Sequence, residues 1–561
     1  MPAQKQVTAN RVFKNGSIYT VDGQRSWARA VAIKDAEIVY VGDDQGADAF
    51  TGPLTEVIDL NSRMMLPGFH DVHVHLYEGG MQILKCDLWD CQALDEALTR
   101  IKEYIRDQDL DAGGWIQCSG LQKTCADDVT KEMLDGIAPH RPMYILTFDG
   151  HSCWANSKAL ELAGIGKGTP DPPQGRIERM PGSKEPRGYL HDFAARMIKD
   201  AMPLPTLEDR IAGLEKGIAK AHRFGITSII EPGVDDTLME PYLELSDRNA
   251  LPLRVRASIS PISWQPGAFG GDIYDFVAAR GKYRRPDINV ESVKVYIDGV
   301  LENGSAVLLE PYLDDKLNGN KPFYTQEDLN RYITWIDSQD LQVHLHAIGD
   351  GGIRMALDAF ETAQKVNGKK NNRHHICHVQ MIDPEDVSRF AELGVAANVQ
   401  AVWAFPDPYV TDSGLSAVGK ERLKKFYMIG SVHRSGGMIA CGSDWFVSSL
   451  NPLDAIEVGI RRQDPHLPEG APALNPEEAV DLATMIEGYT INGAYLMHQD
   501  DKVGSIEIGK CADLIVLDRD LFEIPAVEIN EANVLLTLFN GRPVYNEGIC
   551  FDNELSIRGD I

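Results

Sequence analysis

Positive charge is what this chain most lacks: Lys and Arg number 55 against 83 Asp and Glu, for a formal net charge of −28 and a pI near 4.9. A surface of that sign repels phosphate backbones and anionic headgroups, so neither nucleic acid nor a membrane is an expected partner and the acidic exterior serves solvation. Long hydrophobic runs are missing too. Nothing approaches the ~20 apolar residues that span a bilayer, and Met1 to Ala9 have no apolar core behind a basic start. Cysteine is thin and unpatterned: the nine thiols, among them Cys86, Cys91, Cys153, Cys377, Cys441 and Cys511, include no Cys-x-x-Cys pair, which argues against a disulfide framework or a structural zinc site. Together these absences predict a soluble, cytoplasmic protein in a reducing compartment.

What is present is length and alternation. At 561 residues and 62.0 kDa the chain exceeds one ordinary core, so a large catalytic domain with at least one smaller domain is expected. From Arg11 to Leu60 short β-branched segments such as Ser17–Val21, Ala30–Ile33 and Glu37–Gly42 are broken by Gly, Asp and Asn, and the same texture returns in Ala512–Asp518 and Val534–Phe539. Neither end is self-sufficient, so the two are expected to meet in one β-sandwich, built from residues 1–64 and 491–561. Between them, over 65–490, strands alternate with amphipathic helices. The candidates are Met65–His75, Pro142–Phe148, Gly225–Glu231, Leu253–Ile259, Ser292–Ile297, Leu341–Ala347, His374–Val379, Val395–Gln400 and Met438–Gly442, one more than a TIM barrel needs. The fold class expected is α/β: a (β/α)8 TIM barrel with an α/β insertion after the first barrel strand, at about 76–192, and the sandwich at the chain ends. The insertion either shapes a substrate pocket or is a structural excursion.

Chemistry-bearing residues gather at strand ends, where a barrel keeps its active site. The first strand runs through Leu66-Pro67-Gly68-Phe69-His70-Asp71-Val72-His73-Val74-His75, and alternate side chains of a strand share a face, so His73 and His75 form a two-imidazole clamp. Lys294 sits inside the apolar strand Val293–Ile297, where a charge is costly unless paired or removed. His344 and His346 share a face in Val343-His344-Leu345-His346-Ala347-Ile348-Gly349-Asp350. His378 follows in His374-His375-Ile376-Cys377-His378-Val379-Gln380, and Asp444 in Gly442-Ser443-Asp444-Trp445. Singly, each histidine reads as a satisfied core residue and Asp444 as a helix cap. Jointly they offer the nitrogen and oxygen donors zinc prefers.

This order of motifs resembles the amidohydrolase superfamily, and within it the amidohydrolase family 3 branch of YtcJ-like proteins and N-substituted formamide deformylase. Asp149–Leu160, Arg461-Arg462-Gln463-Asp464-Pro465 and Gly504–Leu514 match that branch as well. The resemblance implies that His73 and His75 bind a more buried metal with Asp444, that His346 and His378 bind a second, and that Lys294, carbamylated on Nζ, bridges two zinc ions. His346 rather than His344 matches the family's histidine before Ala-x-Gly-Asp, with His344 the nearest alternative. The loop Asp298-Gly299-Val300-Leu301-Glu302-Asn303-Gly304 departs from the Asp-Gly-Ser-Leu-Gly of many relatives.

The activity implied is hydrolysis of a carbon–nitrogen bond in a small-molecule N-substituted amide or formamide through a metal-activated hydroxide, with Asp444 as proton carrier. His151 is a candidate catalytic hydrogen-bond donor to substrate or oxyanion, or else a loop-packing residue, and His70 and Asp71 are expected to support the first ligands. Rival readings are an ester, lactone or cyclic-amide hydrolase with the same centre, and a non-catalytic regulatory member of the fold. A homodimer is expected from the resemblance alone.

Overall fold

Eight short strands lie side by side in parallel, in chain order: β1 Phe69–Asp71, β2 Ile226–Val234, β3 Arg254–Ile259, β4 Ile288–Tyr296, β5 Gln342–Ala347, β6 His375–His378, β7 Ala396–Val399 and β8 Ile439–Cys441. This computed structural model describes residues 7–550 apart from 108–113, 123–124, 126–128, 149, 151, 173–174, 204, 261–271, 302–303 and 315–320. The strands are short and largely buried because helices cover their outer faces; every residue of β5, β6, β7 and β8 is buried. The sheet closes into a barrel where the chain after β1 meets β8. There Val72 N donates to Cys441 O at 3.1 Å, Asp444 N to His73 O at 2.7 Å and His75 N to Trp445 O at 2.8 Å.

The returning helices carry ordinary start signals. Asp235, Thr325 and Asn451 each accept a backbone N–H within the first turn of Asp236–Asp247, Gln326–Ser338 and Pro452–Arg461. Pro452 adds a proline at the first helical position, where its missing N–H costs nothing.

The stretch expected to be one strand, Met65–His75, is two. Met64–Pro67 belongs to a different sheet, Gly68 N donates to Asp513 O at 2.8 Å, and Phe69 then opens β1. Pro67-Gly68 is the break between them. Met64–Pro67 lies between Ser17–Tyr19, to which it is parallel, and Leu514–Leu517, to which it is antiparallel. Both chain ends therefore share a six-stranded sheet, with a four-stranded N-terminal sheet beside it. Phe13, Ile18, Val31 and Ile38 pack with Leu514, Val516, Leu536 and Leu538 in the common core. Arg254, at the start of β3, ties this sheet to the barrel through Asp513, with Nε to Oδ2 at 2.8 Å.

Residues 77–217 form a compact unit of their own. Its six-stranded sheet has the order Gly175–Arg179, Pro186–Asp192, Ser152–Ala155, Met143–Thr147, Ile116–Leu121, Cys86–Asp87. The surplus barrel candidate Pro142–Phe148 belongs here. Met143–Thr147 is parallel to Ile116–Leu121 and antiparallel to Ser152–Ala155, and a short buried apolar run alone does not say which sheet it joins. Among the described residues no helix is long and apolar enough to cross a membrane.

Candidate metal centre

β1 stops at Asp71, so His73 and His75 leave from the turn beyond it and not from a pleat. The Asp71 carboxylate holds that turn, its Oδ1 accepting from His73 N at 3.1 Å and Ser443 N at 3.0 Å. Glu231 of β2 accepts from Leu76 N at 3.1 Å and so fixes the chain just past His75. The two imidazoles still converge: His73 Nε2 and His75 Nε2 lie 3.4 Å and 3.3 Å from one oxygen, Asp444 Oδ1. That oxygen is buried and accepts no hydrogen bond of ordinary geometry.

β4, β5 and β6 bring the remaining groups together by register. Lys294 stands beside His344 and His344 beside His375, while Tyr296, His346 and Cys377 form the next row toward the C-terminal ends. His378 would point away from Cys377 in a regular strand. Its φ of +76°, followed by +47° at Val379, is a left-handed pair that side chains rarely adopt, and it turns the imidazole back toward the others. Asp444, at φ +55°, is turned the same way. As a result the donor atoms of His73, His378 and Asp444 lie within 4.8 Å of one another, as do those of His346, Cys377 and His378, and those of His73, His344 and Cys377.

Hydrogen bonds on the far side of the rings orient His378, His346 and His73, and for the first two they assign the tautomer. His378 Nδ1 donates to Gln400 Oε1 at 2.9 Å, leaving Nε2 with its lone pair. Gln400 in turn donates to Asn398 Oδ1 at 3.4 Å, and Asn398 to Val72 O at 2.9 Å. His346 Nε2 faces two acceptors, Gly299 O at 3.4 Å and Asp298 Oδ1 at 3.6 Å, which leaves Nδ1 unprotonated. Asp298 is itself pinned by the backbone N–H groups of Val307, Ile348 and Gly349, each at 3.0 Å. His73 Nδ1 meets His344 Nε2 at 2.8 Å, and His344 Nδ1 meets Ser258 Oγ at 3.0 Å. His344 thus touches the constellation from below through His73.

Burial keeps these imidazoles neutral. It pushes His73 and His346 down to about 3, with the Lys294 charge adding to the effect, and His344, His375 and His378 well below the ordinary histidine value. Neutral imidazoles are what a metal requires. Asp444 goes the other way: burial raises its carboxyl, but His73, His75 and His378 outweigh that and hold it well below the usual range. Lys294 is 3 % exposed; its Nζ lies 3.0 Å from Cys377 Sγ, and among the described residues it makes no ion pair.

Of the residues singled out in the sequence, His73, His75, Lys294, His346, His378 and Asp444 come together, and His151 lies outside the described residues. Trp154, in the Asp149–Leu160 motif, is buried in the core of the 77–217 unit, with Nε1 donating to Thr130 O at 3.0 Å. Asn156 in the same motif caps the helix Ser157–Leu162. Trp403 stacks on His378, with ring centroids 5.6 Å apart and planes 11° from parallel. The sequence reading gave no role to Cys377 or Gln400, and treated Asp298 only as part of a loop that departs from many relatives. The one available signal was position, since each ends or closely follows a barrel strand.

The chain matches the amidohydrolase family over residues 56–545. It belongs to that family. Among family relatives, Protein LONG AFTER FAR-RED 3 of Arabidopsis thaliana is 29 % identical over 552 residues, covering 96 % of this chain and 92 % of that protein. N-substituted formamide deformylase of Arthrobacter pascens is 25 % identical over 547 residues, covering 94 % and 96 %. An uncharacterized metal-dependent hydrolase of Pyrococcus horikoshii OT3 superposes with a TM-score of 0.74 at 22 % identity, covering 92 % of this chain and 99 % of that one, a likeness of fold.

Proposed function

We propose that this amidohydrolase cleaves a carbon–nitrogen bond in an N-substituted amide or formamide, with divalent metal held by His73, His75, His346, His378, Asp444 and Lys294. The observation that carries the reading is Asp444 Oδ1, a buried carboxylate oxygen with no hydrogen bond of ordinary geometry, 3.4 Å from His73 Nε2 and 3.3 Å from His75 Nε2. Nitrogen and oxygen donors of that kind suit zinc. The substrate class comes from the name of the Arthrobacter pascens relative.

A metal held here would supply Lewis acidity toward a carbonyl oxygen and toward water. Asp444, held ionised by its histidine neighbours, takes the proton from the attacking water and hands it to the departing nitrogen. Lys294, buried without an anionic partner among the described residues, suits carbamylation: its neutral amine bonds to the carbon of CO2 and loses a proton, leaving an anion where a cation would be unpaired. Trp403 offers a flat apolar wall beside His378 for the N-substituent. His151 is proposed to donate to the substrate or the oxyanion.

Elemental analysis of the purified protein, paired with a panel of formamides, amides, esters and lactones, tests this. About two zinc per chain, reduced in Lys294→Ala, together with turnover of a formamide or amide, is the expected result. A metal-free protein sinks the reading, and turnover confined to esters or lactones moves it to that chemistry.

A further inference from the structure

One donor in the constellation has no role in the reading above. Cys377 Sγ belongs to two of the close groups, lying within 4.8 Å of the donor atoms of His73 and His344 on one side and of His346 and His378 on the other. No other side chain is shared by those two groups. It is fully buried, faces the barrel interior from β6 beside His346, and has Lys294 Nζ 3.0 Å from its sulfur.

We infer that Cys377 is a metal ligand, a thiolate lying between the two histidine pairs and giving this centre a sulfur donor beside its nitrogens and oxygens. This rests on the metal-centre reading and sharpens it. Four imidazoles and an amine lie close to its sulfur, and two of those rings, His73 and His378, also lie close to Asp444, whose Oδ1 has no hydrogen bond of ordinary geometry. Binding replaces the sulfur–hydrogen bond by a sulfur–metal bond and releases the proton to solvent. The contact with Lys294 survives either form of that lysine, since an ammonium and a carbamate N–H both donate to thiolate. The functional consequence is selectivity: a thiolate favours zinc, cobalt and other borderline or soft ions over magnesium and manganese, which prefer oxygen.

Cobalt(II) tests the inference without reference to activity. The protein is stripped with a chelator and refilled with cobalt chloride, and bound cobalt is counted in wild type and in Cys377→Ser. The expected result is an intense near-ultraviolet sulfur-to-cobalt charge-transfer band in wild type that is absent from Cys377→Ser at equal cobalt content. X-ray absorption of the zinc form should show sulfur at about 2.3 Å beyond the nitrogen and oxygen shell at about 2.0–2.1 Å. The wild-type spectra suffice if the variant fails to fold. Bound metal with no sulfur band and no sulfur shell overturns the ligand assignment and leaves the metal centre standing, as does a band that persists in Cys377→Ser. A wild-type protein that takes up no metal overturns both.

Discussion

His378 donates through Nδ1 to Gln400 Oε1 at 2.9 Å, and Asp444 Oδ2, at 3.9 Å from the same nitrogen, is too far to replace that bond in Gln400→Leu unless a side chain moves. The ring would then lose the bond that fixes its tautomer and orientation, a loss that costs about 10–100-fold in metal affinity or activity where it has been removed from other centres. We expect zinc affinity, measured by competition with a chromogenic chelator, to fall by that order in Gln400→Leu and much less in Gln400→Glu, which keeps the acceptor oxygen. Equal affinity in both variants would mean the ring is held by packing alone. The same contrast explains what the sequence made legible. A histidine or a lysine inside apolar text stands out because its burial needs a reason. Cys377 and Gln400 do not, because a cysteine is a common core residue and an amide at a strand end usually caps or turns. Their roles follow from which strands adjoin β6, and that is decided by residues far off in the chain.

The barrel seam is the element on which the site depends. A Cβ built on Gly442 would stand 2.6 Å from His73 N and 3.0 Å from His73 Cα, both backbone atoms that move only with the turn itself. Gly442→Ala should therefore push β8 and the turn after β1 apart, at a cost of about 1–3 kcal/mol typical of overpacking. Urea unfolding in the presence of a chelator reads that cost, and metal stoichiometry reads whether His73 and His75 have moved; loss of metal with no loss of stability would place the effect at the ligands alone. Periodicity was enough to reveal the other seven barrel strands, since buried parallel strands are short, apolar and spaced by helices. It failed twice for physical reasons. Met65–His75 reads as one strand because both sheets it joins want apolar residues, and only Pro67-Gly68 marks the break. Met143–Thr147 reads as a barrel strand because apolar text is the same in any buried sheet.

Across the whole molecule, buried neutral histidines make the fold sensitive to acid. Burial holds His70, three residues before His73, down to about 3 and, away from the metal-binding residues, His222 to about 4, against an ordinary value of 6.5. The unfolded chain takes up protons on both below pH 6.5 while the folded chain stays neutral there, so their contribution is complete above that pH and is lost as pH falls toward 4. For His222, which is almost wholly buried, this amounts to about 3 kcal/mol. Urea midpoints of wild type should drop steeply between pH 7 and pH 4.5, and the drop should be shallower by one proton in His222→Gln; parallel curves would show that His222 titrates normally. Charge pairing matters at this scale as well. Asp513 is buried against Arg254, and Arg254→Leu leaves it unpaired, with an expected loss of about 3–5 kcal/mol in chemical denaturation at pH 7.

Met64–Pro67, seated between Ser17–Tyr19 and Leu514–Leu517, also sets a timetable for the nascent chain. The strand that leads directly into β1 must wait, as the ribosome works through more than four hundred further residues, for the neighbour that completes one of its edges. Until Leu514 emerges that edge is open to any other extended chain, so slow or stalled translation should favour aggregation of this protein, and early dependence on a chaperone follows from its topology.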